Sequence, residues 1–231
     1  MSEARVDTVE GEGFRLVVFR HEERLNALTS GMMDALAAAV EACEADGRDL
    51  VLRGGGGNFS SGADLREVAG SGYEAARRRA LAGRRVCAAL ASGRFRSAAL
   101  VEGVCFGKGL ELALACRLVV AAPGSLFAFP EYALGFEPPC GGAELARERC
   151  GRPPFALTEG KRLTAREAEA AGLADLTAEL PAGGRILAGW WEKARPPFEL
   201  PPGEEAAKRY AARVASPEVK EALRVFLSGK R

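Results

Sequence analysis

The fold is decided in residues 98–121, which read AALVEGVCFGKGLELALACRLVVA. Residues 98–101 have the short, continuous apolar pattern of a buried strand, and residues 118–121 repeat that pattern. Between them, Gly103 to Gly109 is a loop punctuated by glycines, and a helix begins at Leu110. Strands that alternate with helices in this way predict an α/β fold whose strands lie mostly parallel.

The part of the chain before this stretch shows the same alternation. Residues 14–19 predict a strand, residues 30–46 a helix that stops at Gly47, and residues 50–52 a further buried strand. Residues 58–65 form a loop that leads into an arginine-rich helical region. The helix at 30–46 has one apolar stripe, which predicts its buried face: Met33, Leu36, Val40 and Cys43.

From Gly141 onward the pattern predicts mostly helix, with a proline-rich connector at 196–202 that follows Trp190 and Trp191. Thr164 to Glu167 is a capping box, and Ser216-Pro217 combines an N-cap with a proline at the first helical position. The last helix is expected to place four apolar residues on one face: Val219, Ala222, Leu223 and Phe226.

Length and charge narrow the class of protein. The chain has 231 residues, 48% of them hydrophobic, which is enough for the core of one large domain. A formal net charge of +1 argues against a nucleic-acid binder that works through a positive field. The polar start, Met1-Ser2-Glu3-Ala4-Arg5, has no signal-peptide apolar region, and no apolar run reaches membrane length. We therefore expect a cytoplasmic protein with no nucleic-acid or membrane partner.

Histidine and cysteine usage exclude several kinds of site. His21 is the single histidine, so a three-histidine zinc site and an HExxH metalloprotease are excluded, and we expect a solvated loop residue. A Ser-His-Asp hydrolase would need this same histidine as its base. The six cysteines include no CxxC pair, which argues against zinc ribbons, iron–sulfur clusters and thioredoxin-type sites. Cys140, which lies beside glycines, is interpreted as structural.

Phosphate-binding motifs are also missing. No Gly-Lys-Ser/Thr follows the glycines at 54–57, and no GxGxxG follows the first strand, so neither a nucleoside triphosphate loop nor a nicotinamide or flavin cofactor is expected. The arginine clusters at 77–79 and 84–85 fit either a solvated helix face or phosphate contacts.

Two glycine-containing loops and two glutamates remain as a candidate site. The loops at 61–64 and 107–109 each lead into a helix, where free backbone N–H groups and the helix dipole can stabilise an oxyanion. Glu111 lies in an apolar stretch and Glu131 follows Phe129-Pro130, although a glutamate in the first turn of a helix is also stabilised by the dipole. Together these features predict proton transfer next to a polarised acyl carbonyl.

Further stretches match one family in order and spacing. They are residues 25–28, 59–65, 103–116, 130–131, 134–135, 138, 141–142, 163–168 and 172–175, and the closing segment 226–231. On these residues the chain resembles the enoyl-CoA hydratase/isomerase (crotonase) family over nearly its whole length. The resemblance implies an α/β, crotonase-like spiral of ββα units with a helical C-terminal trimerisation region. It implies a core domain over residues 1–175 that binds the thioester, a shortened helical C-terminal region over 176–231, and a homo-trimer or hexamer.

The resemblance also implies a substrate and a mechanism. The substrate would be an acyl-coenzyme A thioester, as in fatty acid metabolism, with coenzyme A as part of the substrate and no other cofactor or metal. Its carbonyl would lie between the backbone N–H groups of Ala63 and Lys108. Glu111 and Glu131 would add water to a 2-enoyl thioester, one activating the water and the other donating a proton. Seven residues would line the substrate: Gly62, Asp64, Leu65, Arg66, Gly107, Gly109 and Pro139.

Two positions depart from the family pattern. Lys108 stands where the family usually has glycine, and Pro139 stands where a glycine N–H helps to hold the water. The alternatives are therefore isomerisation, decarboxylation or C–C bond formation through a thioester enolate, with Glu131 acting largely alone. A non-catalytic acyl-CoA-binding homologue, and an acyl group carried on a carrier protein, are further alternatives.

Overall fold

A computed structural model describes residues 3–152 and 154–229. Met1 and Ser2, at the start of the polar stretch, and Lys230 and Arg231, at the end of the closing segment, lie outside the described residues. In chain order the strands and α-helices are β1 (Arg5–Glu10), β2 (Phe14–Arg20), α1 (Ser30–Asp46), β3 (Asp49–Gly54), α2 (Leu65–Ala69), α3 (Tyr73–Ala91), β4 (Ser97–Val101), β5 (Val104–Phe106), α4 (Lys108–Ala115), β6 (Leu118–Ala121), β7 (Leu126–Ala128), α5 (Gly142–Cys150), α6 (Phe155–Thr158), β8 (Leu163–Thr164), α7 (Ala165–Ala170), β9 (Leu176–Thr177), α8 (Glu204–Ala215) and α9 (Pro217–Leu227).

The strands form two sheets. The larger sheet has the order β1-β2-β3-β4-β6-β9, in which β1 is antiparallel to β2 and every other neighbouring pair is parallel. The smaller sheet has the order β5-β7-β8. Both faces of the larger sheet are covered: Val17 and Phe19 of β2 face the main core, and Leu16 and Val18 face a second cluster. This explains the continuous apolar runs, which are typical of parallel strands buried on both sides.

Helix α1 has the predicted bounds and the predicted buried face. The Oγ1 atom of Thr29 accepts a hydrogen bond from the Met32 N–H at 3.2 Å, and Gly47 ends the helix at a φ of 72°. Both are standard helix-end signals, an N-cap hydroxyl and a left-handed glycine. Met33, Leu36, Val40 and Cys43 are all buried.

The proline-rich connector at 196–202 is non-helical as predicted, but the prediction of mostly helix after Gly141 is wrong for residues 171–195. This segment contains only β9 and a 3-10 helix at Ala188–Lys193. It lies extended across the larger sheet, where Trp190 and Trp191 pack against the second cluster. Four prolines, at 196, 197, 201 and 202, remove backbone donors and disfavour helix in the connector.

Two smaller expectations also need correction. His21 is buried rather than solvated, because the 3-10 turn at Glu22–Arg24 folds its ring against the chain and Nδ1 lies 2.8 Å from the Ala27 carbonyl oxygen. In α9, Val219 and Leu223 are buried, but Ala222 and Phe226 are exposed, so the buried face is narrower than predicted.

The C-terminal helices α8 and α9 pack beside the candidate site. They bury a cluster of apolar residues against α2 and α3, which includes Val68, Ala80, Phe136 and Val214. Among the described residues, no helix is both long and apolar enough to cross a membrane.

Candidate active site

A short parallel bridge brings the two glycine-containing loops together. The Ser60 N–H donates to the Val104 carbonyl oxygen at 3.0 Å, and the Phe106 N–H donates to the Ser60 carbonyl oxygen at 2.9 Å. Ser60 leads into the loop at 61–64, and Phe106 leads into Gly107 and α4. The start of α4 therefore lies against the first loop, and a Cβ on Gly62 would lie 3.4 Å from the Lys108 backbone nitrogen.

Glycine is required on both sides of this contact. Gly62 has a φ of 102° and Gly107 a φ of 52°, and L side chains rarely adopt either. A Cβ on Gly107 would also lie 2.4 Å from Oε1 of Glu131. Gly109 lets α4 pack on the chain at Ser60, because its Cβ would lie 2.7 Å from the Ser60 Cβ.

The N–H groups of Ala63 and Lys108 are available to a ligand. Within the described ranges, neither donates to a protein acceptor. Lys108 is the first residue of α4, so its N–H has no partner inside the helix. On either side of Ala63, the Leu28 N–H donates to the Gly62 carbonyl oxygen and the Asp64 N–H donates to the Leu28 carbonyl oxygen. The Ala63 N–H between them has no acceptor among the described residues. The two groups can donate together to one oxyanion.

Glu111 is fully buried in the first turn of α4. Its Oε1 accepts hydrogen bonds from the backbone N–H groups of Cys140, at 2.6 Å, and Gly142, at 2.9 Å. Its Oε2 is buried without a partner among the described residues. One oxygen therefore fixes the carboxyl group, and the other can exchange a proton with a substrate or water.

Glu131 lies on the 3-10 turn Pro130–Leu134. The residue keeps part of its surface exposed, but its Oε2 is buried and has no partner in the described chain. Its Oε1 faces the Cα of Gly107. Glu131 thus approaches the start of α4, the helix that carries Glu111, from a different element.

Burial raises the pKa of both carboxyl groups. Desolvation raises the pKa of Glu111 to about 7, against the opposing effects of the Gly142 N–H, the Lys108 charge and the Cys140 N–H. Desolvation, followed by the charge of Glu111, raises the pKa of Glu131 to about 8. Because the two groups interact, they titrate as a pair, and one proton can be shared between them near neutral pH.

A small cavity opens at the oxyanion position. It has a volume of about 50 Å³, enough for a few water molecules. Ala63, Asp64 and Lys108 lie on its wall, together with Arg79 of α3 and Tyr210 of α8. Neither glutamate lines this cavity. Lys108 relates the two features, because it lines the cavity and its charge lowers the pKa of both carboxyl groups.

The other predicted substrate residues have varied surroundings. The Asp64 carboxylate caps α2 at the Arg66 N–H, 2.9 Å away, and pairs with Arg24 at 3.1 Å. Leu65 packs against the cluster under α8 and α9, Arg66 is exposed, and Pro139 is buried. A substrate role for these residues stays a prediction.

Sequence reasoning missed Arg79 and Tyr210 as residues of the cavity wall. Arg79 was one of a run of arginines with no feature to distinguish it, and Tyr210 reaches the cavity only because α8 packs on α3. The solvated-face and phosphate interpretations are both wrong for Arg84, which is buried. Its Nε donates to the Pro201 carbonyl oxygen at 2.9 Å, and the guanidinium also pairs with Glu144.

Neither Cys140 nor any group of metal-ligating side chains forms a further candidate site among the described residues. Burial raises the pKa of the Cys140 thiol well above its usual range, which fits a structural residue. No group of three or more metal-ligating side chains occurs among residues 3–152 and 154–229.

This geometry places two backbone N–H groups without a protein acceptor near two glutamates whose Oε2 atoms are buried. The family model for enoyl-CoA hydratase/isomerase matches residues 10–179. The chain belongs to the enoyl-CoA hydratase/isomerase family, whose members act on acyl-CoA thioesters.

Individual relatives support the same assignment. A probable enoyl-CoA hydratase of Bacillus subtilis is 26% identical over 242 residues, covering 94% of each chain. Another, of Rhizobium meliloti, is 32% identical over 166 residues, covering 68% of this chain and 62% of that protein. The crystal structure of an enoyl-CoA hydratase/isomerase from Mycobacterium paratuberculosis superposes with a TM-score of 0.79 at 20% identity, over 96% of this chain and 98% of that one. The predicted crotonase-like α/β fold is confirmed.

Proposed function

We propose that this protein is an enoyl-CoA hydratase, which adds water to a 2-enoyl-CoA thioester. The observation that carries the proposal is the carboxyl pair. Both glutamates have raised pKa values and a buried Oε2 with no partner among the described residues, and two N–H groups without a described acceptor lie near them. A site that only binds a thioester gains nothing from two such costly groups.

Hydrogen bonding assigns the roles. Two backbone N–H groups donate to Glu111 and stabilise its ionised form, so Glu111 accepts the proton of the attacking water. The water oxygen forms a bond to the β-carbon, and the electron pair of the double bond moves toward the thioester. The resulting enolate oxygen is stabilised by the N–H groups of Ala63 and Lys108. Glu131, protonated, then gives its proton to the α-carbon.

Pro139 favours a second candidate, an isomerase- or decarboxylase-type reaction through the same enolate. Pro139 has no N–H to hold a water molecule, and one oxygen of Glu111 is already engaged by Cys140 and Gly142. In that case Glu131 would be the group that moves the proton, and Glu111 would be secondary.

The experiment uses purified protein with trans-2-enoyl-CoA thioesters of increasing chain length, followed by the loss of conjugated-thioester absorbance. For a hydratase we expect Glu111→Gln and Glu131→Gln each to lower kcat by about 100-fold or more, the range of general acid–base catalysis. Glu169→Gln, at an exposed glutamate on α7, is the matched control and should keep full activity.

The pattern of loss separates the candidates. If only Glu131→Gln is inactive, the second candidate is favoured. If wild-type protein binds the thioesters and turns none of them over, the hydratase proposal is wrong.

A further inference from the structure

The Lys108 side chain carries a charge that lies in no ion pair among the described residues, and it faces the cavity. The residue is 8% exposed, and no carboxylate among the described residues lies within 4.0 Å of its ammonium group. The side chain runs along α3, with Cε 3.7 Å from where a Cβ on Gly83 would lie, and it forms part of the cavity wall. An ammonium group on the wall of a narrow cavity can form a charge-assisted hydrogen bond with a carboxylate that enters it.

The glutamate pair does not supply that partner. Oε2 of Glu111 and Oε2 of Glu131 are both buried and unpartnered in the described chain, although a hydrogen bond from Lys108 would satisfy either of them. The lysine lowers their pKa values only through its charge. Its donors are therefore left for something that enters the cavity.

A second cationic group on the same wall has a spare donor. Nη1 of Arg79 donates to the Glu67 carbonyl oxygen at 3.0 Å, but Nη2 is buried without a partner in the part of the chain that is described. The acidic wall residues are engaged or exposed. Asp64 is held by Arg24 and α2, Glu67 accepts from Ser30 at 2.6 Å, and Asp34 faces solvent.

We propose that the acyl group of the substrate carries a second, free carboxylate, which the Lys108 ammonium group binds with help from Arg79. The inference rests on the proposed function for one point, that the thioester oxygen is held at the Lys108 N–H. The same residue then holds both ends of the acyl group, so the reach of one lysine side chain places the carboxylate a few carbons from the thioester. The substrate class is a short dicarboxylic acyl thioester.

The surrounding charges are compatible with this ligand. The glutamate pair carries one negative charge when it holds one proton, and the two cationic side chains on the cavity wall, Lys108 and Arg79, offset that charge when a carboxylate enters. A carboxylate bound to the Lys108 ammonium group also makes a charge-assisted hydrogen bond, which is stronger than a neutral one.

The test compares two saturated thioesters that cannot be hydrated, glutaryl-CoA and valeryl-CoA, by calorimetry. They have the same number of acyl carbons, but the chain ends in a carboxylate in glutaryl-CoA and in a methyl group in valeryl-CoA. We expect wild-type protein to bind glutaryl-CoA about tenfold or more tightly than valeryl-CoA. Lys108→Met should abolish this ratio, Lys108→Arg should keep part of it, and the control Lys193→Met, at an exposed lysine, should leave it unchanged.

The outcomes distinguish this inference from the hydratase proposal. Equal binding of both thioesters by wild-type protein, or an unchanged ratio in Lys108→Met, overturns carboxylate recognition and leaves the hydratase proposal intact. A strong ratio without hydration of any enoyl thioester supports carboxylate recognition and contradicts the hydratase. If neither thioester binds, both are wrong.

Discussion

At the scale of single residues, burial gives Glu111 and Glu131 different tasks from those of surface carboxylates. Both pKa values lie near neutrality rather than near the usual value of about 4.3 for glutamate. Below about pH 7 both groups tend to be protonated and the base is lost, whereas above about pH 8 both tend to be ionised and the acid is lost. The active form is the singly protonated pair between these limits.

A bell-shaped pH profile follows from this pair. We expect kcat/KM for an enoyl thioester to be highest between about pH 7 and about pH 8, and to fall on both sides. Rates measured across pH 5 to 10 in constant ionic strength check this, with binding of a saturated thioester as the control for unfolding. A rate that does not change across that range would contradict the assignment.

Gly107 tests the contact between the first turn of α4 and the acid. In Gly107→Ala the new Cβ would meet Oε1 of Glu131 at 2.4 Å, so the carboxyl group must move, and we expect kcat to fall by at least about tenfold. Gly13→Ala is the matched control, because Gly13 also has a positive φ, 77°, but has open space around it. Equal loss of activity in both variants would assign the effect to backbone strain alone.

The sequence was informative about these residues because each breaks a local rule. Glu111 stands among leucines, and Gly107 stands in a short loop that leads into a helix, and both features can be seen in the sequence. Arg79 and Tyr210 break no such rule. They reach the cavity through the packing of α3 and α8, which no local pattern encodes.

At the scale of elements, the loop before α1 positions the oxyanion site through one buried amide. Asn26 is fully buried at a φ of 56°, and its Nδ2 donates to the carbonyl oxygens of Gly55, at 2.8 Å, and Asn58, at 2.6 Å. Its Oδ1 accepts from the His21 N–H at 2.9 Å. Its own carbonyl accepts from the Ser60 hydroxyl, which in turn accepts from the Gly62 N–H.

Removing this amide should cost stability. In Asn26→Ala three buried backbone groups lose a partner, and we expect the free energy of unfolding to fall by about 2–4 kcal/mol. Asn58→Ala, whose side chain mainly accepts one backbone N–H at 3.1 Å, is the comparison and should cost about 1 kcal/mol. Urea denaturation measures both, and equal losses would show that the amide network is not what holds the loop.

Elements with capping residues at their ends were predicted well. Thr29 and Gly47 define α1, and Thr164 and Glu167 form the observed capping box of α7. The strand β1 and the extended segment at 171–195 were not predicted, because both depend on pairing or packing with distant parts of the chain. Long-range contacts decide such segments.

At the scale of the whole molecule, the glutamate pair makes stability depend on pH. A carboxyl group whose pKa is raised by folding binds its proton more tightly in the folded state, so stability is greatest below the unfolded pKa and falls as pH rises through the folded value. We expect the free energy of unfolding to fall by a few kcal/mol between about pH 5 and about pH 8.

Glu131→Gln should remove part of that fall, because glutamine has no proton to lose. Denaturation of wild-type and variant protein at pH 5, 6, 7 and 8 measures the difference, with Glu169→Gln as the control. If the two slopes are the same, the pKa of Glu131 is not raised by folding.

The C-terminal helix α9 carries exposed apolar residues that bear on assembly. The exposed apolar residues Val225, Phe226 and Leu227 lie on α9, within the region expected to trimerise. The homo-trimer or hexamer stays a prediction, which light scattering coupled to gel filtration can measure. Cytoplasmic location likewise stays a prediction.

The most direct measurement of the central claim is the fate of water oxygen. Crotonyl-CoA is incubated with the protein in water enriched in oxygen-18, and the product is analysed by mass spectrometry. The account predicts a 3-hydroxyacyl-CoA that carries the heavy oxygen, formed about 100-fold or more slowly by Glu111→Gln and by Glu131→Gln. A product without added water, or labelled product formed at the wild-type rate by either variant, would contradict it.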